Sequence, residues 1–221
     1  MQLTEKYRPG NWEQVIGQSK AVAMLRRLEA RSELGGNNYW ISGQSGTGKT
    51  TIARLIASSL AEPWNVEELD AGDMTADKLR AIEKTLHYRG IGEKQGRVWI
   101  INEAHGLRNA QVTALLTLIE PEGGLPSYVA FVFTTTTEGQ DKLFADCDDA
   151  SPLLSRCKRI DLSRQSLAKP FAEYAKRIAE QEGLDGRPVE WYVRLVQKHR
   201  QNLRAVLQEI ECGAALSETS A

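Results

Sequence analysis

The run Gly43-Gln44-Ser45-Gly46-Thr47-Gly48-Lys49-Thr50 sets glycines, a lysine and a hydroxyl at the spacing G-x-x-x-x-G-K-T. Glycines let a backbone curl until successive N–H groups point inward at anionic oxygens. A helix starting at the end of such a loop adds the positive end of its dipole. In this pattern Lys49 reaches the β- and γ-phosphates of a nucleotide, and the Thr50 hydroxyl ligates Mg²⁺, with Thr51 next on the same turn. The chemistry indicated is binding of a nucleoside triphosphate, ATP or GTP, together with magnesium.

Phosphoryl transfer from such a loop also needs a carboxylate at the end of a neighbouring strand. The run Val98-Trp99-Ile100-Ile101-Asn102-Glu103-Ala104-His105 resembles a Walker B box, but Asn102 stands where the first acid belongs. Glu103 falls where a base would polarise the attacking water. Asn102 can accept a hydrogen bond from a magnesium-bound water, yet it lacks the negative charge. Weaker metal retention or slower turnover is expected. His105, a single histidine on a turn, reads as structural.

These groups need a scaffold that brings strand ends together. Asn38–Ser42 reads as a strand running into the glycine loop, and Ile52, Leu55, Ile56 and Leu60 behind it recur at helical spacing. Further strands are predicted at Asn65–Leu69, Arg97–Asn102, Tyr128–Thr135 and Lys158–Leu162, with helices at Ser19–Leu34, Thr75–Tyr88 and Asn109–Glu120. Strands alternating with helices imply crossovers and a parallel sheet. The unbroken apolar runs Val98–Ile101 and Val129–Phe133 are those of central strands covered on both faces. After Leu162 only helices are predicted, at Leu167–Gln181, Val189–His199 and Asn202–Gly213. The fold class is α/β: a five-stranded parallel core over 1–162, then a small all-α domain over 163–221. The opening residues to about Gly17 read as a loop.

Composition narrows the setting. The 221 residues hold 28 Lys and Arg against 29 Asp and Glu, a net charge of -1, so any nucleic-acid contact must come from a local patch. Hydrophobic residues at 41% and charged residues at 26% fit a folded soluble chain. No apolar run approaches a membrane span, and the N-terminus has no apolar signal core. Cys147, Cys157 and Cys212 are too scattered for a disulfide framework or a zinc module, which points to a reducing, cytoplasmic setting (nuclear if eukaryotic).

Taken in order, the motifs resemble those of AAA+ ATPases of the clamp-loader clade. The resemblance is nearest to the small subunits of replication factor C and looser to the bacterial tau/gamma subunit. Glu5-Lys6-Tyr7-Arg8-Pro9 with Val15-Ile16-Gly17-Gln18 is similar to the opening segment of that clade; Glu68–Asp73, Ala114–Glu120, Ser155-Arg156-Cys157 and Asn202–Leu207 follow its later motifs. The resemblance implies that Tyr7, Arg8, Pro9, Val15 and Ile16 border the adenine. It implies that Arg156 is an arginine finger for a neighbouring subunit and Arg204 a sensor 2 arginine. It also implies a polar sensor 1 closing the fourth strand. The run Thr134–Thr137 leaves the position of that sensor ambiguous, and Thr136 is favoured. The implied partners are other subunits of this kind, a sliding clamp and primer–template DNA. Three features depart from the pattern: Asn102, a long acidic connection over Glu138–Pro152, and no counterpart of a collar domain after Gly213.

Arg80 and Lys84 are four apart on one predicted helix, and Arg89 follows, in the region that faces DNA in the family. Asp77, Glu83 and Glu93 are interleaved with these bases, so an ordinary solvated face fits as well. Two other functions stay open on sequence alone. One is an AAA+ DNA-remodelling or transposition regulator. The other is an ATP-bound scaffold whose hydrolysis Asn102 has attenuated.

Overall fold

A computed structural model describes residues 1–136 and 150–216; Thr137, Cys147, most of the acidic connection and the tail from Ser217 lie outside the described residues. The chain divides into two compact units. One comprises Lys20–Gln44 and Lys49–Leu162; the other comprises Met1–Ser19, Ser45–Gly48 and Ser163–Ala221.

The larger unit is built on β1 (Asn37–Gly43), β2 (Val66–Asp70), β3 (Arg97–Asn102), β4 (Val129–Thr135) and β5 (Lys158–Leu162). All pairings are parallel, in the order β2-β3-β4-β1-β5. The three inner strands are the apolar ones, as expected where helices cover both faces. Every residue of β4 is buried, whereas β2 at one edge is only partly so. The helix after the glycine loop, α3 (Lys49–Leu60), turns Ile52, Ala53 and Ile56 inward and packs on β1, β3 and β4. On the sheet, Trp99 stacks on Phe131 at 5.1 Å between ring centres, and Trp40 tilts against Phe133 at 5.7 Å. Leu79 and Ile82 from α4 (Ala76–Leu86) and Val112 and Leu115 from α5 (Asn109–Ile119) close over these rings. Thr75 caps α4 by accepting from Lys78 N at 3.2 Å.

Two expected boundaries move. The helix α2 (Ser19–Ala30) stops short of Leu34 because Ser32 takes a left-handed conformation, φ 57°. A short helix, α6 (Ala150–Ser155), precedes β5 and had no periodicity long enough to announce it.

The smaller unit gathers α7 (Ala168–Gln181), α8 (Val189–Lys198) and α9 (Leu203–Glu211) around Phe171, Ala175, Tyr192, Val196, Val206 and Ile210. The opening residues, counted above with the α/β core, belong to this unit. They are not all loop: α1 (Leu3–Lys6) is followed by a 3-10 turn at Trp12–Gln14. Leu3 is buried in the helical cluster, and Tyr7 and Ile16 pack against it. Tyr174 donates its hydroxyl to Tyr7 O at 2.6 Å, and Glu182 accepts from Tyr7 and from Lys6, the latter at 2.6 Å.

Candidate functional site

Parallel strands bring all their C-terminal ends to one edge of the sheet, where α/β proteins bind ligands. Gly43 ends β1, Asn102 ends β3, and between them β4 ends at Thr135. Lys49 is the first residue of α3 and is buried. Its ammonium donates to Gly43 O at 2.9 Å and to Gln44 O at 3.1 Å. These are neutral acceptors of the loop itself, which phosphate oxygens can replace. Gly46 and Gly48 have φ of 79° and 97°, values that side chains resist. Gly48 has open space where a Cβ would be, so its requirement is the backbone angle alone. Gly46 has a second requirement, because a Cβ there would collide with Asn202 Oδ1. Asn202 is the N-cap of α9 and accepts from Ala205 N at 3.4 Å. Arg164 donates to Ser45 O, and the buried Gln18 donates to Ser163 O at 2.8 Å.

The second motif is a turn with an outlier. Glu103 has φ 49° and ψ 44°, a left-handed conformation rare outside glycine, and such strain concentrates at functional sites. The turn leaves its carboxylate more than half exposed beyond the strand end. His105, read as structural, sets its Nδ1 within hydrogen-bond distance of Thr135 Oγ1, at 3.2 Å, and 3.4 Å from Glu103 Oε2. Asn102 donates from Nδ2 to Glu68 Oε1 at 2.8 Å and accepts at Oδ1 from Thr134 Oγ1 at 2.8 Å. Glu68, on β2, is held by Arg54 of α3, with Nε to Oε2 at 2.7 Å and Nη2 to Oε1 at 3.3 Å. Within the threonine run, Thr134 is therefore the residue that touches Asn102. Thr136, favoured above, lies one residue past the end of β4.

Magnesium prefers oxygen ligands and keeps several waters when it binds with a nucleotide. Thr50, the amide oxygen of Asn102 and the carboxylate of Glu103 are oxygen donors of that kind. Among the described residues no group of three or more His, Cys, Asp or Glu could hold a metal unaided. The donor set fits an ion brought in with the phosphates.

Arg156 follows α6 and does not extend freely. Its Nε pairs with Glu120, and its Nη1 donates to Pro152 O at 3.1 Å. Beside it, burial pushes the Cys157 thiol up to about 12, and its Sγ lies 3.2 Å from Leu153 O.

Residues 39–164, more than half of the chain, match the ATPase family associated with various cellular activities (AAA). The chain belongs to this family. Its curated relatives include the DNA polymerase III subunit gamma/tau of Mycoplasma genitalium, 30% identical over 178 residues, and the subunit gamma of Buchnera aphidicola, 30% identical over 209 residues. The alignments cover 70% and 83% of this chain but only 28% and 53% of those relatives. Two solved structures of Thermotoga maritima RuvB variants superpose with TM-scores of 0.73 and 0.71, at 24% and 23% identity, over 93% of this chain and 64% of theirs. That likeness is one of fold. Of the two clamp-loader branches weighed from sequence, these curated relatives carry the bacterial name.

The other expected residues of this AAA chain fall at several places. Arg204 is exposed on the first turn of α9. Arg8 pairs with Glu5, and Tyr7 and Ile16 lie in the helical unit with Pro9 and Val15. In the basic stretch, Arg80 binds Asp77 Oδ1 at 2.9 Å, Lys78 pairs with Glu67, and the Arg89 guanidinium lies 4.8 Å from the centre of the Tyr128 ring. Lys84 is exposed. Sequence reading assigned no role to Arg54, met Glu68 and Asn202 only inside family motifs, and held Thr134 only as one member of the ambiguous sensor run. The adjacency of β2 and β3 would have indicated Glu68, because a strand-end amide facing a glutamate is a donor–acceptor pair.

Proposed function

We propose that this chain is the ATP-binding and ATP-hydrolysing part of a clamp-loader-like assembly that acts at primer–template DNA. One observation carries the reading. The glycine loop with Lys49 and the Asn102–Glu103 turn end two strands of one sheet edge, flanking the strand that bears the threonines. In this reading Lys49 exchanges its loop carbonyls for phosphate oxygens. Glu103 accepts a hydrogen bond from the attacking water and orients it. Magnesium, when bound, neutralises charge on the phosphates. Thr136 acts as sensor 1, and Arg204 reports the state of the nucleotide. Arg156 leaves Glu120 and serves the ATP site of a neighbouring subunit, where such a finger is worth roughly 10³–10⁵ in rate. The curated relatives are named as subunits of a DNA polymerase, which supports an assembly acting on DNA; the clamp-loader resemblance adds further subunits of this kind and a sliding clamp as the proposed partners. Arg80, Lys84 and Arg89 are the proposed phosphate contacts.

The test is ATP turnover by the assembled protein, with and without primed DNA, in wild type and Arg156→Ala. The expected result is DNA-stimulated turnover that falls at least about 100-fold in the variant, with binding of a fluorescent ATP analogue unchanged. Stimulated turnover that survives Arg156→Ala would sink the inter-subunit site. Asn102 favours a second reading, an ATP-bound scaffold. Tight binding with negligible turnover under every condition would select it.

A further inference from the structure

The amide at position 102 has a neighbour that dictates its chemistry. Glu68 stands two residues before the end of β2, whose terminal Asp70 pairs with Asn102. Its carboxylate takes two hydrogen bonds from the Arg54 guanidinium and a third, at 2.8 Å, from Asn102 Nδ2. An ionised carboxylate only accepts hydrogen bonds. The group facing it must therefore donate. Thr134 does not decide the matter, since a hydroxyl can donate or accept. An asparagine satisfies both neighbours at once, with Nδ2 toward Glu68 and Oδ1 toward Thr134. An aspartate would face Glu68 with a second acceptor, and two carboxylates at that range do not both ionise readily.

We infer that Glu68 and Asn102 act as one unit. Glu68, its own charge balanced by Arg54, polarises the Asn102 amide, and Asn102 hands that polarisation on. A hydrogen bond donated to a carboxylate polarises the amide, so its carbonyl oxygen becomes a stronger acceptor for the next donor. In the proposed ATP site that next donor is a water of the magnesium shell. Glu68 is a positioning residue here: it acts through Asn102, and Arg54 fixes it from the helix that begins with Lys49. The asparagine is then the residue that fits this strand end, and the acid of the motif has moved one strand outward. The inference rests on the ATP reading above and gives that site a polarised acceptor where the motif has an acid.

The experiment is a double-mutant cycle on the full chain with Glu68→Gln, Asn102→Asp and the two combined. Two quantities are read besides turnover: thermal unfolding without nucleotide, and binding of a fluorescent ATP analogue as Mg²⁺ is titrated. Glu68→Gln is expected to raise the Mg²⁺ concentration for half-saturation about tenfold, the scale seen when groups behind a metal's ligands are removed. Its magnesium-free nucleotide affinity should not change. Asn102→Asp alone should lower the melting temperature and weaken the Mg²⁺ response. The double variant, with an amide at 68 and a carboxylate at 102, should recover both.

The inference falls if Asn102→Asp is as stable as wild type and tightens the Mg²⁺ response while Glu68→Gln leaves that response unchanged. Glu68 would then be a partner of Arg54 only, and Asn102 a plain attenuation. If Glu68→Gln does not fold, Asn102→Asp decides alone, a loss supporting the coupling and a gain overturning it. A wild-type chain that binds no nucleotide overturns the ATP reading and this inference together. Normal binding with additive variants overturns the inference alone.

Discussion

Gly46 shows how much one position can be asked to satisfy. Its backbone needs a left-handed φ, and its missing side chain leaves room for Asn202. Gly48 has only the first requirement. Gly46→Ala should therefore destabilise the protein more than Gly48→Ala, which pays about 1–2 kcal/mol for its angle alone. Thermal unfolding of the two variants checks the order; equal losses would mean that Asn202 moves aside without cost. The spacing of the glycines and Lys49 was legible in the sequence because a phosphate loop is local. The contact with Asn202 was not, since nothing in either segment names the other. The same holds for Asn102. The sequence showed the absent acid, and only the pairing of β2 with β3 showed what stands beside it.

At the scale of elements, the strands around the site were legible almost to the residue, because a buried parallel strand is an unbroken apolar run bounded by turns. Elements stabilised by distant contacts were not. The helix at Leu3–Lys6 has four residues, too few to show a period, and Leu3 is buried by residues of α7, α8 and α9. The start of β5 supplies a chemical check on packing. Cys157 is held with its thiol pushed up to about 12 by burial, whereas Cys212 after α9 is exposed. At pH 8 an alkylating reagent should modify Cys212 quickly and Cys157 only once the chain unfolds, because the thiolate is the reactive form. Peptide mass mapping reads this directly, and rapid labelling of Cys157 in the folded chain would contradict the packing described.

At the scale of the whole molecule, sequence order and spatial grouping part company. The helical unit is assembled from three stretches, so no linear boundary could describe it. Its carboxylates also set how it meets acid. Burial disfavours the Asp185 anion, but Lys176 at 2.6 Å and the Tyr192 hydroxyl at 2.6 Å hold its carboxyl below the ordinary range. Glu182 is lowered by hydrogen bonds from Lys6 and Tyr7, and Glu209 mainly by Lys198 and then His199. A carboxyl with a depressed folded-state pKa stabilises the fold above its unfolded pKa of about 4 and loses that contribution as pH falls through the folded value. The helical unit should thus loosen first as pH falls below about 4, and Asp185→Asn should flatten that dependence. Hydrogen exchange resolved by peptide across this range tests it; simultaneous opening of both units would refute it. The sheet has a related exposure at its rims. An open sheet offers unpaired backbone groups along two outer strands, where a strand from another chain can add. Here β2 carries Glu67, Glu68 and Asp70, and β5 carries Lys158, Arg159 and Asp161. An incoming apolar strand would have to strip water from those charges. The runs best suited to fibre-like stacking, Val98–Ile101 and Val129–Phe133, are kept inside this charged fence, so Glu68 also helps keep the folded chain from polymerising edge to edge.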